Sequence, residues 1–186
     1  MKNQLRIIHR TVKKCKKCKR ILKNRVLPRS GFPSRCIYKA VIIGAEPGPR
    51  AKELMTPTEY EKKFMPGAKN TNTVRYLFED LKSADINYRE FFYTNAVKCP
   101  AQTKADSRKC FEECEVYLKK QLMAINPKFV VVFGSAAKLL HLKRAKKDSI
   151  ELDNYEGFPA IIIRHPQGAS KNYRKQVTRI IKNKLR

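Results

Sequence analysis

The chain has 186 residues, 42% of them hydrophobic, which is enough to bury a core and excludes a disordered basic tail. Lys and Arg number 42 against 16 Asp and Glu, a net charge of +26, and that balance points to a polyanionic partner. No apolar run approaches the roughly 20 residues of a membrane span. The amino terminus lacks the apolar centre of a secretory signal, so the expectation is an intracellular protein with no membrane partner.

Residues 2–24 are rich in Lys and Arg, with Leu5, Ile7, Ile8, Val12, Ile21 and Leu22 at helix-like spacing. Pro28, Gly31 and Pro33 then mark a loop. Val41, Ile42 and Ile43 form a short apolar strand over 40–43, broken by Gly44-Ala45-Glu46-Pro47-Gly48. A long Pro-, Thr- and Lys-rich connection leads to about residue 70, where Asn72 or Thr73 caps a helix holding Val74, Leu77, Phe78 and Leu81.

Residues 91–98, FFYTNAVK, read as a second strand, and 107–125 as a long helix with Val116, Leu118 and Leu122 inside. KFVVVFGS, 128–135, is a buried strand stopped by Gly134, and a helix through Ala137, Leu139 and Leu140 follows. AIIIRHP, 160–166, is the last strand and 170–184 the last helix. Four apolar strands alternating with helices predict a parallel sheet covered on both faces. Ligands of such sheets bind beyond the carboxyl ends of the strands. Glu46, Asn95 and His165 stand at three of those ends.

Six cysteines in a chain without an export signal disfavour a disulfide scaffold. Cys15 and Cys18 form a Cys-x-x-Cys pair among lysines rather than in an apolar run. Cys99 follows the second strand, and Cys110 and Cys114 lie one turn apart on the next helix. Four thiolates suit zinc or a 4Fe–4S cluster. The wide split of the second pair departs from a zinc ribbon and favours the cluster. Cys36 has no evident partner and reads as ordinary packing.

These residues together resemble the iron–sulfur (family 4) branch of the uracil-DNA glycosylase superfamily, over nearly the whole chain. Cys-x-x-Cys near the start, GAEPG after the first strand, KFMPG, TNAVKC, CEVYLKKQL and RHP follow in the family's order. The resemblance implies an α/β/α sandwich with a central four-stranded parallel sheet. It implies a single domain over residues 1–186, its segment 1–30 clamped by a 4Fe–4S cluster on Cys15, Cys18, Cys99 and Cys114. Cys110 is then a spare.

The implied reaction is hydrolysis of the N-glycosidic bond of deoxyuridine in DNA, which leaves an abasic site. An extruded base must be read on its Watson–Crick edge and stacked on a ring. Asn95 can match uracil O4 and N3–H, and Phe64 of KFMPG holds the family's stacking position. Backbone of Gly44, Ala45 and Glu46 to Gly48 lines the pocket. His165 can donate to uracil O2 as charge develops there. The partner is DNA containing uracil, bound by a monomer.

Two departures from the family pattern stand out. Its acid is usually second in the first motif, whereas Glu46 is third, the place where other branches hold the residue that positions water. Glu46 is therefore the candidate base, with pairing to Arg50 as the alternative. The family also carries a bulky apolar wedge soon after the histidine, where this chain has Pro166-Gln167-Gly168-Ala169-Ser170. Single-stranded or mismatched uracil is the expected substrate. The alternatives are a glycosylase for hypoxanthine or xanthine, and a non-enzymatic nucleic-acid binder with a structural metal.

Overall fold

A computed structural model describes residues 2–20, 37–47, 73–99, 101, 103–146, 148–165 and 169–186. Helix α1 (Lys2–Lys14) and a 3-10 turn (Lys17–Arg20) precede strand β1 (Ala40–Gly44). Helix α2 (Thr73–Ser83), β2 (Phe91–Asn95), α3 (Lys104–Ile125), β3 (Phe129–Phe133) and α4 (Gly134–Leu139) follow. The chain ends with β4 (Glu151–Tyr155), β5 (Phe158–Ile163) and α5 (Lys171–Leu185).

The sheet has the order β2-β1-β3-β5-β4. The first four strands are parallel, as the alternation of strands and helices requires. The fifth corrects the expectation of four: β4 pairs antiparallel with β5. Its residues Glu151, Leu152, Asp153 and Asn154 alternate between half-buried and exposed, because an edge strand has one partner and tolerates charge. The two strands are joined by Glu156-Gly157, both at positive φ (53° and 84°). That is the geometry of a two-residue type I′ turn. A glutamate in place of the usual Asn or Asp hides the turn from sequence inspection. Asn154 Oδ1 steadies it by accepting from the Gly157 N–H at 2.9 Å.

Residues alternate strictly between the two faces of the sheet. Val41, Ile43, Val130, Val132 and Ile162 pack under α1, α3 and α4. Ala40, Ile42, Val131, Ile161 and Ile163 pack under α2 and α5. Helix α1 joins the first of these layers through Leu5, Ile8 and Val12, all buried. Helix α3 starts three residues earlier than the apolar pattern indicates. Thr103 accepts from the Asp106 N–H and Asp106 accepts from that of Thr103, a reciprocal cap. No described helix is long and apolar enough to cross a membrane.

Val116 does not lie inside. It is 42% exposed, whereas Leu118 and Leu122 are fully buried. The buried positions of α3 step by three or four from Cys110 through Cys114, Leu118 and Leu122, and Val116 falls between those steps. Leu122→Ala should therefore cost about 2–5 kcal/mol in urea denaturation. Val116→Ala should stay within about 0.5 kcal/mol; equal losses would contradict this helix phase.

Candidate active site and thiol cluster

Parallel pairing sets the site. In the register of β1 and β2, Gly44 stands beside Asn95, at the ends of both strands. Past those ends the two loops remain stitched: the Ala96 N–H donates to Gly44 O, and the Val97 N–H to Ala45 O, each at 2.8 Å. Glu46 is thereby held beside the segment that leads to Cys99. Its carboxylate oxygen Oε2 accepts from the Ser107 hydroxyl at 2.5 Å, and Ser107 is buried in the first turns of α3. Among the described residues, Glu46 is thus tied to α3; Arg50, the alternative partner, lies outside them.

Asn95 is buried, and its Oδ1 accepts from the Tyr93 hydroxyl at 2.9 Å. The two side chains share the α2–α5 face of the strand, two residues apart. Burial pushes the Tyr93 phenol well above its ordinary value, against a smaller opposing effect of the Asn95 bond. The hydroxyl therefore remains a donor. Gly44 is small for a reason of space: a Cβ there would stand 2.5 Å from Asn95 Oδ1 and 2.8 Å from the Tyr93 hydroxyl.

Beneath Asn95 lies a lysine that sequence inspection passes over. Lys98 is buried, and its Nζ donates to Thr94 Oγ1 at 2.9 Å, Asn95 O at 2.5 Å and Gln121 Oε1 at 2.8 Å. Burial lowers its pKa to about 7. Those three acceptors satisfy the ammonium and fasten the end of β2 to α3. In a chain of net charge +26, one lysine reads as surface; only its place between Val97 and Cys99, in an otherwise buried run, marks it.

His165 follows β5, on the same carboxyl edge but separated from β1 by β3. Its ring centre is 6.0 Å from that of Phe133, the last residue of β3. His165 is exposed, yet partial desolvation lowers its pKa below the ordinary 6.5. Gly48, Phe64 and Pro166 to Gly168 lie outside the described residues, so the stacking ring and the loop after the histidine have no place in this geometry.

Among the described residues, five thiols gather on the α1–α3 side. Cys18, Cys99, Cys110 and Cys114 are buried in one apolar layer, and Cys15 packs against it. Burial pushes Cys18 and Cys99 up to about 12, and Cys110 and Cys114 to about 11. Cys110, the expected spare, lies beside Cys18 in the same buried layer. The Lys98 N–H donates to Cys114 Sγ at 3.4 Å, and Tyr117 is buried in the same layer against which Cys15 packs. Lys17 and Glu113, 3.0 Å apart, bind the 3-10 turn to α3. Among the described residues, no three His, Cys, Asp or Glu side chains are arranged as a metal site. The donor chemistry of these thiols, gathered in one pocket, fits a thiolate-bound group. Cys36 lies outside the described residues.

A family model described as the uracil DNA glycosylase superfamily matches residues 38–186. The chain belongs to that superfamily. The match spans every strand of the sheet and takes in Glu46, Asn95 and His165. Cys99, Cys110 and Cys114 fall within it, while α1, Cys15 and Cys18 precede it. No curated protein matches the chain. Members of the uracil-DNA glycosylase superfamily are DNA glycosylases, hydrolases of the bond between base and sugar. The resemblance read from short motifs thus holds at the level of superfamily, fold and DNA-directed hydrolysis.

In this glycosylase the neutral form of His165 is favoured by folding. Its stabilising effect is full above pH 6.5 and is lost as pH falls, because the unfolded chain takes up the proton first. The ring should titrate below 6.5 in a proton NMR titration of the folded protein. A midpoint at or above 6.5 would mean that an anionic group faces the ring.

Proposed function

We propose that the protein is a monofunctional uracil-DNA glycosylase of the iron–sulfur type, acting best on single-stranded or mismatched uracil. The observation that carries this reading is the anchored amide. Tyr93 occupies one lone pair of Asn95 Oδ1, so the amide cannot turn over without losing that bond. Its NH₂ is left to donate to a carbonyl such as uracil O4, and the second Oδ1 lone pair to accept from N3–H. The amine of cytosine would meet a donor with a donor.

Water supplies the new bond in the reaction. As the bond from C1′ to uracil N1 breaks, its electron pair leaves with the base and charge accumulates on O2. His165, as a neutral imidazole, donates a hydrogen bond to that oxygen without first losing a proton to solvent. Glu46, held by Ser107, orients the water that closes on C1′ and receives its proton. Cys15, Cys18, Cys99 and Cys114 would hold a 4Fe–4S cluster, whose part is to cross-link the amino-terminal segment to the helix that carries Ser107. An uncharged thiol in this pocket resists ionisation, so binding depends on the positive charge of the iron.

The deciding experiment incubates purified protein with oligonucleotides containing uracil, hypoxanthine, xanthine or thymine, followed by alkali. Strand scission at uracil is expected, strongest in single strands or mismatches. Scission at hypoxanthine or xanthine but not uracil would move the specificity to another deaminated base. No scission at any base would leave a nucleic-acid binder.

Glu46→Gln should keep the fold and DNA affinity while single-turnover excision drops at least about 10²-fold. Ser107→Ala should cost about ten- to a hundredfold, the worth of one hydrogen bond to a charged group. A fall of less than about fivefold for Glu46→Gln would assign the water to another group.

Protein purified without oxygen should be brown and carry about four iron atoms. Alanine at Cys15, Cys18, Cys99 or Cys114 should bleach it, whereas Cys110→Ala should not. Bleaching by Cys110→Ala but not Cys114→Ala would exchange those two roles. Colourless protein with stoichiometric zinc would overturn the cluster.

A further inference from the structure

Helix α5 carries a line of cations that the site does not use. Lys171, Lys175, Arg179 and Lys182 are exposed at steps of three or four residues, which places them on one face of the helix. With Arg174 they line a groove of about 570 Å³ between α5 and the end of α2. Among the described lining residues the one acid, Asp80, is already matched. Arg174 donates to both carboxylate oxygens of Asp80, at 2.7 and 2.5 Å, and lies 5.4 Å from the centre of the Tyr76 ring. Lys182 donates to the carbonyl of Ala84 at 3.0 Å. Among the described residues, no ion pair is formed by Lys171, Lys175 or Arg179.

The line has a direction. Lys171 opens α5 soon after His165, at the carboxyl edge of the sheet. The far end of α5 reaches the amino edge, where Lys128, just before β3, donates to Leu185 O at 3.0 Å. From Lys171 to Lys182 the helix rises roughly 16 Å at 1.5 Å per residue. Tyr93 packs on this same α2–α5 side of the sheet, and Asn95 shares its face. Like charges repeated every helical turn repel one another, so the stripe is built to be covered by an anion.

We propose that this groove is a second nucleic-acid contact, which takes the phosphates of the strand flanking the target nucleotide. It leads that strand from the carboxyl edge down the α2–α5 face. The inference rests on the reading that the chain acts on DNA, and is independent of which base it excises. Contacts of this kind give affinity and register without sequence information.

The test compares two triple variants in binding to uracil-free single strands of about 20 nucleotides over a range of salt. One is Lys171→Gln/Lys175→Gln/Arg179→Gln. The other is Arg6→Gln/Arg10→Gln/Lys120→Gln, which removes the same charge from exposed positions of α1 and α3 on the opposite face. Each phosphate contact of a single strand contributes about 0.7 to the slope of log K against log salt. The groove triple should flatten that slope by about 2, and the control by well under 1. Equal flattening in both, or an unchanged slope in the groove triple, would overturn the groove. A parent that excises uracil while its groove triple binds normally would sink this inference alone. A parent that binds through the groove without excising would sink the enzymatic reading alone.

Discussion

The site depends on the register between β1 and β2. Because Gly44 pairs with Asn95, both strands end at the same level, and the loops beyond them can share backbone hydrogen bonds. The bonds from Ala96 to Gly44 and from Val97 to Ala45 leave no slack between the segment bearing Glu46 and the one bearing Asn95. A slip of one residue would turn Asn95 and Tyr93 to the α3 side and present Thr94 in their place. The absence of a side chain at Gly44 belongs to the same constraint, since the amide and the phenol fill the space a Cβ would need.

Helix α3 is the beam on which the remaining parts rest. Along one face it carries Ser107 to Glu46, Cys110 and Cys114 to the thiol pocket, and Gln121 to Lys98. Burying these polar groups is costly unless each finds a partner. Here Ser107, Cys114 and Gln121 each have one. These bonds couple the thiol pocket to the strand ends: Lys98 touches Cys114 through its N–H and Asn95 through its ammonium. The position of α3 thus links the thiol pocket to the strand ends.

The two faces of the sheet divide the labour. The α1–α3 side holds the buried polar groups and thiols, which give rigidity. The α2–α5 side holds the Asn95 amide and the cationic groove, where the one acid is locked to Arg174. A net charge of +26 draws a polyanion to every surface of the molecule. Orientation requires an uneven distribution of charge, which the proposed contact along α5 would supply.

By itself the amino-acid sequence determined the alternation of elements and the four parallel strands, since short, β-branched runs such as FVVVF and AVIIG, each ended by glycine, are those of strands buried on both faces. Parallel pairing then brought Glu46, Asn95 and His165 to one edge, and the motif order pointed to the superfamily. Strand β4 escaped because an edge strand needs no apolar pattern and its turn uses Glu156. The partner of Glu46, the burial of Lys98, the convergence of Cys110 with the other thiols and the exposure of Val116 were decided only by tertiary structure. In each case the outcome depends on which side chains meet across α3 and the sheet, and residues sixty positions apart carry no mark of that meeting in the chain.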